Sequence, residues 1–113
     1  MCIGGFQMKE IQEKVNKMVK KYNLESSIEI RFIDLVSEVG ELGKEILKGN
    51  DYGKRKFQNT YNLESEFGDV LFSLTCIANS LNIDLKNALD VALKKYNDRF
   101  SAKGDIGSSK NYK

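Results

Sequence analysis

Apolar side chains recur at three- and four-residue spacing through most of this chain, the period of an amphipathic helix. Met8, Ile11, Val15, Met18, Val19 and Tyr22 form the first series, with a strongly basic outer face. Asn23 and Leu24 break it. Ser26 followed by Glu29 reads as a capping box that opens a second helix. Its core stripe is Leu35, Val39, Leu42 and Ile46, and Gly49 marks its end. A third helix begins near Asn62 and would bury Leu63, Phe67, Val70, Leu74, Ile77 and Leu81. Asn82 to Asp84 interrupt the pattern, and Asp84 is placed to cap a fourth helix. That helix shows Leu85, Ala88, Leu89, Ala92, Tyr96 and Phe100. No alternating run predicts a strand. The expected fold is all-α, an antiparallel four-helix bundle over residues 7–100. A short N-terminal tail, 1–6, precedes it, and a flexible polar tail, 101–113, follows.

Composition narrows the chemistry. The 113 residues are 41% apolar and 30% charged, with a formal net charge of +2. This is the balance of one soluble domain with no general argument for a nucleic-acid or membrane partner. The run VLFSLTCIANSL is too short and too polar to span a bilayer, and MCIGGF lacks the form of a secretory segment. There is no histidine, which excludes Ser-His-Asp and Cys-His nucleophiles and His-bearing metal sites. There is no proline to interrupt long helices. Cys2 and Cys76 form neither a metal spacing nor a disulfide framework, which fits a reduced, cytoplasmic setting. Cys76 reads as a packed small residue.

The second and third helices repeat one another. At an offset of 28 residues, Ser37-Glu38-Val39-Gly40-Glu41 aligns with Ser65-Glu66-Phe67-Gly68-Asp69. Leu35 aligns with Leu63, Leu42 with Val70 and Ile46 with Leu74. At about 100° per residue, Glu38, Glu41 and Glu45 share a stripe about a quarter turn from the apolar one. Glu66 and Asp69 stand in the same relation to the third helix. Packed antiparallel, the two segments would be related by a local pseudo-two-fold near Gly40 and Gly68. Close approach there would offset the roughly 1 kcal/mol that glycine costs inside a helix. Glu38, Glu41, Glu66 and Asp69 would then converge. Four clustered carboxylates repel, and a divalent cation relieves the repulsion. Oxygen-only ligands select a hard ion, magnesium first and manganese second, and magnesium favours phosphate oxygens. Glu45 continues the stripe opposite Ser73, which makes it a candidate to support the cluster from behind.

The segments LVSEVGELGKEI, ESEFGDVLFSL and KKYNDRF resemble the MazG-like, all-α nucleoside triphosphate pyrophosphohydrolases. The resemblance covers most of residues 28–100. It implies a helical bundle in which Glu38, Glu41, Glu66 and Asp69 hold magnesium. The implied reaction cleaves a nucleoside triphosphate between its α and β phosphates, giving a nucleoside monophosphate and pyrophosphate. It also implies a homodimer or homotetramer and a role in clearing surplus or non-standard nucleotides. Glu38 or Glu41 would help deprotonate the attacking water, and the sequence does not choose between them. Lys95 and Arg99, four apart on one helix face, would neutralise phosphate charge or simply form a solvated basic helix end. Arg55, within the basic run Lys54, Arg55, Lys56 of the loop GNDYGKRKFQNT, is a further phosphate candidate, set against a reading as solvated loop charge.

Two departures bear on substrate choice. Ser37 stands where the family often has an acid. The chain has no tryptophan to sandwich a base, which leaves Phe32, Tyr52, Phe57 and Tyr61 as candidates to stack. Two other readings compete. One is a phosphoribosyl-ATP pyrophosphohydrolase of similar fold. The other is a helical oligomerisation module that binds nucleotide or metal without turnover.

Overall fold

The computed structural model describes residues 7–103. They form four helices: α1 (Met8–Lys21), α2 (Ile28–Gly49), α3 (Leu63–Ser80) and α4 (Leu85–Lys103). No strand occurs among the described residues. The order and number of helices are those of the apolar pattern. The expected tail at 1–6 and the stretch 104–113 lie outside the described residues. Residues 101–103 do not belong to a tail: α4 continues through them, because no glycine follows Phe100 until Gly104.

Local chemistry sets the helix ends. At α1, Glu10 reaches back to accept from the Gln7 amide at 3.3 Å. The cap of α2 is Ser27 and not Ser26: its hydroxyl accepts from the Ile30 amide at 3.2 Å. Adjacent serines offer the same oxygen, and the helix begins at the first apolar residue after them. Asp84 caps α4 as expected, accepting from the Lys86 amide at 2.9 Å. Asn23 and Asn82, which close α1 and α3, both adopt left-handed backbone with φ of 56°. Gly49, the last residue of α2, is glycine for a steric reason. The Phe57 ring lies against it and the Gln58 carbonyl oxygen would stand 2.8 Å from any Cβ there.

α2 and α3 form the main antiparallel pair, α1 packs on α3, and α4 joins through α1. Gln12 secures that last junction. Its amide nitrogen donates to Asn79 Oδ1 and to the Ile83 carbonyl, both at 2.9 Å, and its oxygen accepts from the Leu85 amide.

The interior of the chain differs from the expected core. The buried side chains are small or polar: Arg31, Glu45, Ser73, Thr75, Cys76 and Ala78. Of the expected stripe on α2, Leu35 and Leu42 are half-buried, whereas Val39 and Ile46 are exposed. On α3, Leu63, Val70 and Ile77 are half-buried, and Phe67 and Leu74 are exposed. Arg31, Glu38 and Glu45, seven apart, fall in one line on α2. That line shares the face turned toward α3 with Leu35 and Leu42, the half-buried edge of the apolar stripe. The remaining apolar arc, Phe32, Ile33, Val36 and Val39, looks outward.

Candidate metal centre

The line Arg31, Glu38, Glu45 and the opposing positions of α3 form a polar seam between two antiparallel helices. The middle of α2 meets the first turns of α3 there. Carboxylate oxygens of Glu38, Glu66 and Asp69 all lie within 4.8 Å of one another. Glu66 and Asp69 are three apart, about 4.5 Å along the axis, so both address Glu38. No lysine or arginine lies within 4.0 Å of any of the three among the described residues. Burial pushes the Glu38 carboxyl above its usual range, and the charges of Asp69, Glu66, Glu41 and Asp34 push it further.

Three of the four expected ligands are thus brought together. The fourth, Glu41, is exposed and turns to Lys44, 3.9 Å from its Nζ. Glu41 still stands near enough for its charge to act on Glu38. Glu45 is buried, accepts a hydrogen bond from Thr60 Oγ1 and lies 3.6 Å from Lys48 Nζ. It ties the α2–α3 connection to α2 and is not one of the three clustered acids. Arg55 Nη1 donates to the Gly49 carbonyl at 2.7 Å and to that of Lys56 at 3.2 Å. A phosphate role for Arg55 requires it to leave these carbonyls. Lys95 and Arg99 lie on α4, which packs mainly on α1, beside the Tyr96 ring at 5.6 and 5.9 Å.

Sequence reasoning missed Asp34 and Thr60. Asp34 is half-buried one turn before Glu38 and raises its pKa. The i, i+4 spacing of Asp34 and Glu38 was the available signal. Thr60 carried none beyond its place in a turn-rich loop. The expectation for Gly40 and Gly68 fails within the chain: a Cβ at either meets nothing within 4 Å. Both point away from the α2–α3 contact, because Glu38 and not the glycine stands at its centre.

Residues 29–102 match the family model of the MazG nucleotide pyrophosphohydrolase domain. The chain belongs to the MazG nucleotide pyrophosphohydrolase family. It is 35% identical over 96 residues to the uncharacterized protein YpjD of Bacillus subtilis strain 168, covering 81% of this chain and 85% of that one. The crystal structure of YpjD aligns with a TM-score of 0.70 at 34% identity, over 83% of this chain and 98% of that one. The Bacillus-conserved MazG protein, described as a nucleotide pyrophosphohydrolase, aligns at 0.69 and 33% identity, over 81% and 90%. MazG-type hydrolases generally depend on a divalent metal, and the carboxylate cluster is a suitable place for one here. No helix among the described residues is long and apolar enough to cross a membrane.

Proposed function

We propose that this MazG-family chain hydrolyses a nucleoside triphosphate at its α–β phosphoanhydride bond, with magnesium held by Glu38, Glu66 and Asp69. The observation that carries this reading is the trio of carboxylates, drawn from two helices and with no cationic side chain within 4.0 Å among the described residues. The donor set fits the ion. Three carboxylate oxygens within 4.8 Å of one another, with neither sulfur nor imidazole among them, would suit a hard divalent ion such as magnesium. Bound there, the ion would polarise a phosphoryl oxygen and offset the charge gathering on the leaving pyrophosphate.

The protein's own groups supply the rest. Glu41 stands at the edge of the trio, held only by an exposed ion pair with Lys44. Such a pair contributes about 0–1 kcal/mol, so the carboxylate is free to swing. We assign it to orient the attacking water and accept its proton. The water oxygen bonds to phosphorus, the bridging P–O bond breaks, and nucleoside monophosphate and pyrophosphate leave.

The outward apolar arc of α2 supports a homo-oligomer. Phe32 is 57% exposed, Ile33 65%, Val36 55% and Val39 50%. Apolar patches of this extent mark interfaces. In such an assembly Lys95 and Arg99 of α4 can serve the phosphates of a neighbouring copy's centre.

The test is pyrophosphate release across all ribo- and deoxyribonucleoside triphosphates and phosphoribosyl-ATP, with magnesium and with EDTA. Magnesium-dependent release of pyrophosphate with a monophosphate product supports the proposal. Binding without release on every substrate would assign a non-catalytic module.

A further inference from the structure

We propose that Arg31 and the cavity it lines form a binding site for a phosphate group or similar small oxyanion, separate from the carboxylate centre. Arg31 keeps only 9% of its exposure. No carboxylate lies within 4.0 Å of it among the described residues. Its guanidinium donates to the Leu24 carbonyl and lies 5.8 Å from the Phe72 ring centre. A guanidinium carries five N–H donors, so most of its capacity is unspent. Burying a cation with no carboxylate in direct contact is costly, and the position aggravates it. Arg31 is the fourth residue of α2, where the helix dipole already favours negative charge.

The cavity beside it measures about 140 Å³ and is lined by Asn16, Lys20, Ser26, Arg31, Asn79 and Ser80, with Glu25 among its walls. Two cations face one carboxylate. Glu25 sits 3.8 Å from Lys20, in an exposed pair that an anion can displace. The side chains of Asn16, Ser26 and Ser80 make no hydrogen bond among the described residues and can donate to a ligand. At about 30 Å³ per water the space holds roughly four or five waters. That is room for a tetrahedral oxyanion. Arg31 precedes Glu38 by seven residues on the same line, about 10 Å along the axis. The cavity therefore borders the catalytic groove without overlapping the trio.

The experiment is titration with inorganic phosphate, and separately with pyrophosphate, in EDTA at constant ionic strength. Calorimetry and thermal shift are read against chloride. Without metal the clustered carboxylates repel anions, so binding reports the cavity. Phosphate is expected to stabilise the wild-type protein, and Arg31→Gln to weaken binding about tenfold or more. Lys20→Gln should weaken it less, and Glu25→Gln should strengthen it. Tighter binding of pyrophosphate would identify the reaction product as the ligand, and equal or tighter binding of phosphate a free phosphate. No shift in the wild type overturns the proposal, as does equal binding by the wild type, Lys20→Gln and Glu25→Gln. The last two variants decide the matter even if Arg31→Gln unfolds through loss of its bond to Leu24. Either failure leaves the pyrophosphohydrolase reading intact, since no turnover is measured.

Discussion

At Glu38, burial and the neighbouring charges of Asp69, Glu66, Glu41 and Asp34 all favour the protonated acid. Above about 4.5, its ordinary value, and up to its raised one, the folded metal-free chain holds a proton that the unfolded chain has released. Metal-free stability from this group is therefore full below that window and lost as pH rises through it. Glu38→Gln removes the penalty. At pH 7 in EDTA the variant should melt a few degrees above the wild type, and the gap should close on acidification below the window. Magnesium should reverse the order. At a hundredfold excess over its dissociation constant, a bound ion stabilises the wild type by about 2.7 kcal/mol. The variant, which has lost a ligand, should gain little and lose turnover by roughly a hundredfold or more. Melting curves at several pH values with and without magnesium check both signs.

Arg55 shows how an element's end can claim a residue that looks functional. Its guanidinium bonds the Gly49 and Lys56 carbonyls and lies 3.5 Å from that of Lys48. The Lys48 and Gly49 carbonyls are among those that the end of α2 leaves without an intrahelical partner, and Lys56 lies in the loop that follows. Arg55→Ala should cost about 1–2 kcal/mol, lowering Tm by roughly 4–8 °C per kcal/mol, with kcat/KM unchanged. A fall in kcat/KM at unchanged Tm would return Arg55 to the phosphate site. The contrast with Glu38 explains what was legible in the sequence. The helices could be read because each carries its own apolar period and its own caps, such as Asp84. The carboxylate trio could be read because the same acidic spacing is written twice. Which face of α2 meets α3 could not be read, since the helix is apolar over a wide arc and the buried face straddles the border between that arc and the polar side. Burial of that border, with Glu38 and Arg31 on it, is a tertiary outcome that periodicity does not encode. Gly40 and Gly68 were misplaced for the same reason, and the carbonyl contacts of Arg55 could not be read because capping by a loop arginine has no fixed sequence spacing.

For the molecule as a whole, that choice of face ties the proposed metal centre to the proposed assembly. The α2–α3 pair spends its mutual contact on Glu38, Glu66, Asp69 and Arg31, groups that repel or need a ligand. Apolar burial within one chain is correspondingly thin, with Cys76 and Ala78 its only buried apolar residues among those described. Fully burying a Val, Ile, Leu or Phe contributes about 1.5–3 kcal/mol. Ile33, Val36 and Leu47 line the side of α2 away from Glu38, all about half-exposed or more. In the proposed homo-oligomer a second copy covering them would supply the stabilisation that the seam does not. On that proposal the melting temperature should fall on dilution, as it does wherever association is coupled to folding. Val36→Asp places a charge in the middle of that face, roughly opposite Glu38 on the helix and so without contact to the metal ligands. It should shift the mass measured by light scattering toward the monomer and lower Tm. Turnover per chain should fall with dissociation and recover at high protein concentration. A variant with the wild-type mass and melting behaviour at every concentration would show that the outward face of α2 is not what holds the copies together.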